Sequence, residues 1–387
     1  MIHQRRSRIE LHSVAGVLAF EAAYGQDPQT RDWLCPTRVR LGLEAREAMT
    51  PELQERLCFT ATQTLSYEAA AQVAAKWGSG VSCSAVYQHV QRRGETTRRE
   101  RAAEVERALD VNTRAEVVAA ARAAAPSGEF SLVLMLDGWM IRERGEQWGL
   151  EPPEAAGERV DWREVKSGIV FRLEDRAESS GGRRMVLEKH IEAYRGDPYE
   201  FGRRFYALAL RQGLMQAQRV YVVADGAVWI WHVVEDRFSH AIPLLDFHHA
   251  SQHLWAVAHA VSPQDDDARA WVVPLLHQLR HGGEAGVLHG LQGLLELFLD
   301  LNEEQRHTVE GAQNYFETHR DRLGYQRAAD LGCPVGSGAM ESTCSQLQDR
   351  FKRTGQFWIF QGHSNLMALD LARRNNEWND IWANHYS

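Results

Sequence analysis

The sequence lacks the features that mark disulfide-rich, zinc-binding and membrane-spanning proteins. It has five cysteines in 387 residues, and they form no CxxC pair and no Cys/His group with zinc-finger spacing. No apolar run is long enough to cross a bilayer, and no basic start precedes an apolar core as in a signal peptide. We therefore expect buried thiols and a cytoplasmic protein that does not associate with membranes.

An excess of positive charge is also missing. The chain has 44 Lys and Arg against 52 Asp and Glu, so its net charge is -8 at pH 7. This charge excludes a general attraction to nucleic acid, and any DNA binding must depend on local basic patches. The composition, 44% hydrophobic and 25% charged residues, is typical of a globular protein. The length leaves room for two or three domains.

The N-terminal part, residues 1–125, is rich in alanine and predicts an all-helical region. Within it, the pattern near residues 66–94 predicts a helix, a glycine turn and a second short helix that Ser82 begins and Gly94 ends. This is the order of a DNA-binding helix-turn-helix, although an ordinary helical hairpin has the same pattern. The side chains that the second helix would present to DNA are Gln88, Arg92 and Arg93.

From residue 126 onward the pattern changes to apolar, strand-like runs. Three such runs are followed by alternating helices and strands, which predicts a mixed sheet covered by helices, in the order of an RNase H-like α/β fold. We assign residues 126–261 to the first part of this core and residues 262–330 to an all-helical insertion. Residues 331–387 would supply the last core helix and a C-terminal tail.

Two acids follow apolar runs of this predicted sheet. Asp137 stands in "LVLMLDGW" and Asp225 in "VYVVADGA". In an RNase H-like order the first and fourth strands are neighbours, so the two carboxylates would meet at one edge. Close carboxylates repel each other unless a cation joins them, and Mg²⁺ prefers oxygen ligands. Each Asp-Gly alone is explained by a turn, but their matched positions favour metal binding.

A third acid is available later in the chain. Glu341, in "CPVGSGAMESTCSQLQDRFKRTG", lies in the first turns of a predicted helix that we expect to pack on the same sheet edge. The alternative is that Glu341 only compensates the positive end of the helix dipole, which is a common role for such residues.

Five segments, taken together and in order, resemble the DDE transposases of bacterial insertion sequences, most closely the Kra-type group. They are "LDGW", "ADGAVWIW", "LDFHHASQHL", "VGSGAMESTCSQLQDRFKRTGQFW" and "RRNNEWNDIW". The resemblance covers nearly the whole chain and implies that Asp137, Asp225 and Glu341 form a catalytic triad with two bound Mg²⁺ or Mn²⁺ ions. It also implies double-stranded DNA, as transposon end and target, for a partner, and a homodimer or larger active complex.

The same resemblance draws attention to Asp246 and His249, which match an Asp-x-x-His motif of related transposases. It implies a place for His249 near the scissile phosphate or the transposon end. The alternative is a histidine on a buried helix face that is hydrogen-bonded to Asp246. Both interpretations use the same local hydrogen bond.

Residues 350–374 contain five basic residues and one acid, Asp370, and form a local patch that could offset the overall negative charge. The candidate DNA contacts there are Arg350, Lys352 and Arg353. A solvated helix face explains the same charges. Trp358 could stack on a flipped base, although tryptophans of this kind lie more often in the core.

The sequence therefore predicts a DNA transposase that cleaves and transfers strands by metal-dependent phosphoryl transfer. Two alternatives remain open at this point. One is an RNase H-like nuclease without strand transfer, and the other is a decayed DNA-binding protein that has lost catalysis.

Overall fold

The computed structural model describes residues 1–41, 43, 47–149, 159–182, 184–262, 264–283, 285–297 and 301–383. The elements of the N-terminal third are β1 (Ile2–Ser13), β2 (Gly16–Gln26), β3 (Trp33–Leu34), α1 (Pro36–Arg40), α2 (Pro51–Gln63), α3 (Tyr67–Lys76), α4 (Cys83–Leu109) and α5 (Arg114–Ala124).

Strands dominate the middle of the chain. They are, with their intervening helices, β4 (Ser131–Arg144), β5 (Val160–Arg172), β6 (Arg176–Glu178), β7 (Arg184–Val186), β8 (His190–Tyr194), α6 (Pro198–Arg211), β9 (Arg219–Ala224), α7 (Val228–Arg237) and β10 (Ile242–Leu245). Helices follow: α8 (Phe247–Val261), α9 (Asp265–Gly282), α10 (Ala285–Leu297), α11 (Glu303–Thr318), α12 (Tyr325–Asp330), α13 (Gly338–Phe351), α14 (Phe360–Arg374) and α15 (Trp378–Trp382).

Two compact units alternate along the chain. The first combines residues 1–103, 140–163 and 346–387, and the second combines residues 104–139 and 164–345. No helix in the described parts of either unit is both long enough and apolar enough to cross a membrane. The domain boundaries expected from the sequence stay predictions.

A mixed sheet lies mainly in the second unit. Among the described residues it has five strands in the order β10-β9-β4-β5-β8. Strand β9 pairs in parallel with β4 on one side and β10 on the other, whereas β5 and β8 are antiparallel. The predicted neighbourhood of the first and fourth strands, β4 and β9, is confirmed. This sheet, with its many helices, is compatible with an RNase H-like core.

The central strands are apolar because both of their faces are covered. Residues Leu132 to Leu136 of β4 and Val220 to Ala224 of β9 are buried, as expected for parallel strands between layers of helices. Helix α6 begins with a capping residue and a proline: Asp197 accepts a hydrogen bond from the Glu200 backbone N–H, and Pro198 is the first helical residue. The described residues between 262 and 330 form helices and a 3-10 turn, with no strand.

The prediction of an all-helical N-terminal region is wrong. Strands β1 and β2 form an antiparallel hairpin that closes at Ser13 and Gly16, and Gly16 has a φ of 105° that favours glycine. From Arg8 to Leu11 the side chains are alternately exposed and buried: Arg8 and Glu10 are exposed, and Ile9 and Leu11 are buried. This is the two-residue alternation of a strand. The alternation is short and precedes the alanine-rich helices. The composition of the whole region is therefore dominated by helix-forming residues, and the sequence interpretation missed the alternation.

The predicted length of the second helix of the helix-turn-helix is also wrong. Helices α3 and α4 flank a turn as expected, but α4 continues through Gly94 to Leu109. Gly94 is needed for packing, since a Cβ at this position would clash with the backbone carbonyl of Asn365 in α14. A glycine inside a helix can thus mark close contact between two helices, and not only a helix end.

Candidate active site

The acid pair is positioned by the register of two parallel strands. Leu136 of β4 pairs with Ala224 of β9, so the next residues, Asp137 and Asp225, stand at the same level on neighbouring strands. Strand β9 ends before Asp225, as predicted. Strand β4 does not end at Asp137 but continues to Arg144, which corrects the sequence interpretation.

The continuation of β4 has a simple cause. Trp139, Ile141 and Glu143 are buried beyond Asp137, so the two-residue alternation of a strand persists after the acid. Only the pairing with β9 stops, because its last register pair is Leu136 with Ala224. The carboxylate of Asp137 therefore follows the point where β4 and β9 separate.

The environment of Asp137 disfavours its charged form. Burial raises the pKa of this carboxyl group, and the nearby charge of Asp225 raises it further, against the lowering effect of a hydrogen bond from the Gly138 backbone N–H. That bond is 2.7 Å long. Ionising Asp137 beside Asp225 therefore costs free energy, which a shared cation would offset.

Asp225 also shapes the turn that leads into α7. One of its carboxylate oxygens accepts a hydrogen bond of 2.9 Å from the Ala227 backbone N–H. Its backbone carbonyl accepts a hydrogen bond of 2.8 Å from the indole N–H of Trp231. Asp225 can therefore both form a turn and bind a metal ion, because these hydrogen bonds fix the direction of its carboxylate at the sheet edge.

Asp246 occupies the equivalent position on the third parallel strand. Leu245 of β10 pairs with Ala224 of β9, and Asp246 follows it with 0% exposure. One of its carboxylate oxygens accepts a hydrogen bond of 2.8 Å from the backbone N–H of His249 and thereby caps α8. The other accepts a hydrogen bond from the Ser337 backbone N–H, directly before α13. Asp246 therefore fixes the start of α13 at the sheet edge.

The hydrogen bond predicted between Asp246 and His249 exists, but it uses the backbone of His249 and not its ring. The imidazole is half-buried, and it lies close enough to Asp137 to lower the pKa of that carboxyl group. The structure therefore brings His249 to the acid pair.

Glu341 lies in the first turn of α13 and is exposed. The Ser337 hydroxyl donates a hydrogen bond of 3.3 Å to its carboxylate. One turn later, the buried thiol of Cys344 hydrogen-bonds to the carboxylate of Asp137. Residues three apart share a helix face, so Glu341 is on the face of α13 that meets Asp137. The sequence interpretation missed Cys344, for which this spacing was the available signal.

The donor set fits a hard divalent cation in part. Mg²⁺ is commonly held by one or two carboxylates together with water and substrate phosphate oxygens, and Asp137 with Asp225 offers such a pair. Within the described parts of the chain, however, no three or more His, Cys, Asp or Glu side chains lie close enough together to hold a metal ion. Glu341 lies on the face of α13 that meets Asp137, but with Asp137 and Asp225 it does not form a group of three metal ligands. The metal site stays a prediction.

Two of the predicted DNA contacts are contradicted by burial. Arg350 is 4% exposed, donates from Nε to the Ala61 carbonyl at 3.0 Å, and lies over the rings of Tyr67 and Trp358. Trp358 is 6% exposed, and its indole N–H donates to the Phe351 carbonyl at 2.8 Å. Both side chains belong to the core of the first unit, where Arg350 joins α13 to α2 and α3 and Trp358 covers its guanidinium.

The remaining predicted contacts differ in exposure. Arg93 is 9% exposed and lies over the Trp382 ring, so its assignment to a DNA groove is also contradicted. Arg92 is half-exposed but bonded to Glu47 at 2.6 Å. The exposed candidates that are left are Gln88, Lys352 and Arg353.

The helical segment supplies residues at the site that the sequence interpretation missed. Tyr315 and His319 of the α11 region pack on Gly226, next to Asp225; a Cβ at Gly226 would lie 2.6 Å from the Tyr315 ring and 3.2 Å from His319 Nε2. His253 of α8 stacks on Tyr315 with ring centroids 3.8 Å apart. The glycine after the acid was the signal, because close approach to a backbone requires glycine.

Comparisons with known proteins identify no family. No protein-family model matches the sequence, and no curated protein matches it. Among the solved structures that match is a chain of the Drosophila P element transposase strand transfer complex, at 12% sequence identity and a TM-score of 0.27. That match covers 90% of this chain and 83% of the other. A TM-score this low carries no argument, so a function must be argued from the residues.

Proposed function

We propose that this chain is a DDE-type DNA transposase, which cleaves DNA strands at the ends of a mobile element and joins them to target DNA. The observation that carries the proposal is the register that sets Asp137 and Asp225 side by side on parallel strands. The five-strand order and the bond from Asp246 to the start of α13 support it. Membership of the Kra-type group is part of the proposal.

Two Mg²⁺ or Mn²⁺ ions would be held by Asp137, Asp225 and Glu341, and would activate the attacking oxygen and stabilise the leaving one. The hydrogen bonds of the protein would hold these carboxylates in place. Asp225 is fixed by its turn, and Asp246 fixes the helix that carries Glu341. Water and then the freed 3'-hydroxyl are the nucleophiles, so no covalent bond between protein and DNA is needed.

DNA would be held by local charge, because the net charge of -8 repels it. Lys352 and Arg353 are exposed and directly follow the helix that carries Glu341. In the proposed reaction two transposon ends are brought together, so the active complex would be at least a homodimer on double-stranded DNA.

The test compares wild type with Asp225→Asn on a plasmid that carries the DNA flanking this gene, in Mg²⁺ or Mn²⁺. We expect cleaved and joined products from wild type and none from Asp225→Asn, while a gel-shift assay shows that both bind the DNA. Asp266→Asn is the matched control, since Asp266 is an exposed aspartate in the first turn of α9.

The other outcomes separate the alternatives. Nicks without joined products would favour a nuclease, and binding without any cleavage would favour a non-catalytic DNA-binding protein. Cleavage by Asp225→Asn at the wild-type rate would contradict the role of this acid.

A further inference from the structure

An open pocket of about 470 Å³ lies between α8 and the α11 region, within the size range of small-ligand sites. We call it the ring pocket, after the side chains that line it. Its residues with rings or hydrogen-bonding groups include His253, His307, Asn314, Tyr315, Thr318 and His319. None of the roles proposed above for the acids uses this pocket.

The lining of the ring pocket carries no Asp, Glu, Lys or Arg among the described residues. Burial lowers the pKa of His253, and burial together with the charge of Arg322 lowers the pKa of His319 to about 4. Both imidazoles are therefore neutral at pH 7. A lining whose described residues include two neutral imidazoles and no Lys or Arg does not suit a phosphate group, which would need cationic partners.

A flat, uncharged ring fits this lining better. The rings of His253 and Tyr315 are stacked face to face, with centroids 3.8 Å apart and an angle of 23° between their planes, so they form a stacked wall to whose outer ring face a third ring can add. Asn314 and Thr318 add donors and acceptors that can meet the edge of a heterocycle. Stacking on aromatic side chains with edge hydrogen bonds is how proteins hold unpaired nucleobases.

The ring pocket is next to the acid pair on two sides. Tyr315 and His319 pack on Gly226, the neighbour of Asp225. His253 lies one helical turn after His249, which is close enough to Asp137 to lower the pKa of its carboxyl group. A DNA strand with a phosphate at the acid pair would therefore pass the opening of the pocket.

We propose that the ring pocket binds an unpaired nucleobase of the DNA strand whose backbone lies at Asp137 and Asp225. This inference rests on the proposed function, because it takes DNA as the substrate. It assigns a role to α8 and α11: together they supply the wall that stacks on the base. A free nucleoside has the same ring chemistry, and the experiment separates the two sources.

The test measures binding to a branched duplex with a four-nucleotide unpaired flap, by fluorescence anisotropy in Ca²⁺. The flap carries either four thymidines or four abasic residues with the same backbone charge. We expect wild type to bind the thymidine flap about 5- to 100-fold more tightly. Tyr315→Leu should bind both flaps equally, while Tyr315→Phe, which keeps the ring, should retain the preference.

His259→Leu is the matched control, because His259 is an exposed histidine on α8 outside the pocket. It should keep the wild-type preference. His253→Leu is a second pocket variant, for use if the thermal melt of Tyr315→Leu shows that it has not folded. It too should lose the preference.

No preference in wild type, or an unchanged preference in Tyr315→Leu and His253→Leu, would overturn the proposal. So would binding of free thymidine by wild type, lost in Tyr315→Leu, without any preference for the thymidine flap, since the ligand would then be a nucleoside. Failure of the proposed function is a separate result: a protein that prefers the thymidine flap but never cleaves DNA would keep the base pocket and lose the transposase assignment.

Discussion

At the scale of single residues, the site is a set of side chains that other groups hold in place. Asp137 is buried beside Asp225, and its carboxylate meets the Cys344 thiol. Asp246 is buried and satisfied by two backbone N–H groups. Removing such a carboxylate would leave buried donors without partners, at a cost of about 1–3 kcal/mol. Asp246 is therefore a positioning residue.

The protonation of His319 gives a prediction at this scale. Its pKa falls from 6.5 to about 4 on folding, through burial and then the charge of Arg322, and Arg322 donates a hydrogen bond of 2.8 Å to Nδ1. Between these two values the unfolded chain binds a proton that the folded chain does not. The free energy of unfolding should therefore fall by about 1–3 kcal/mol as pH drops from 6.5 to 4, with no contribution above 6.5.

His319→Gln should lack this component, which urea unfolding at a series of pH values measures. The control is His307→Gln, because His307 is an exposed histidine on the same helix as Tyr315. Equal slopes for wild type and His319→Gln between pH 6.5 and 4 would contradict the assignment.

At the scale of elements, close contacts between helices decide features that local propensity does not. Helix α4 keeps a glycine in its interior because α14 packs against it there. Arg350 joins α13 to α2 through a hydrogen bond to the Ala61 carbonyl and to α3 by lying over the Tyr67 ring, while Trp358 packs on the same guanidinium. These contacts explain why the first arginine of an apparent basic patch lies in the core.

Gly94→Ala tests the contact between α4 and α14. The added methyl group would clash with the Asn365 carbonyl, so we expect a loss of about 1–3 kcal/mol in the free energy of unfolding. Gly293→Ala is the control, since nothing lies within 4 Å of a Cβ there and an alanine in an exposed helix should add up to about 1 kcal/mol. Thermal melts of both variants would show opposite shifts; a stabilised Gly94→Ala would contradict the packing argument.

At the scale of the whole molecule, charge sets how the proposed DNA binding can occur. The net charge is -8, so affinity must come from exposed basic residues and must fall steeply with salt. Burial removes Arg350 and Arg93 from this set. Lys352 and Arg353 remain exposed.

Lys352→Ala with Arg353→Ala should therefore weaken DNA binding and reduce the slope of log K against log[salt] by about 0.9 for each phosphate that the variant no longer neutralises. Arg122→Ala is a control, because Arg122 is an exposed basic residue on α5. Binding isotherms from about 50 to 300 mM salt, a range of about sixfold, measure the slope. An unchanged slope in the double variant would place the DNA-binding surface elsewhere.

The sequence by itself determined those features that depend on local order and periodicity. Apolar runs predicted the strands of the sheet, and their order predicted that β4 and β9 are neighbours, which the pairing confirms. The start of α6 is likewise local, since Asp197 caps the helix and Pro198 is its first residue. These features follow from side-chain period and capping, which short segments already contain.

Only the tertiary structure decided features that depend on distant parts of the chain. The same glycine can end a helix or admit a second helix, and Gly94 is explained only by Asn365. The same arginine can face DNA or the core, and Arg350 is explained by Tyr67 and Trp358. The contact of Cys344 with Asp137 and the wall formed by His253 and Tyr315 join residues far apart in sequence. Their proximity depends on packing, which local propensity does not contain.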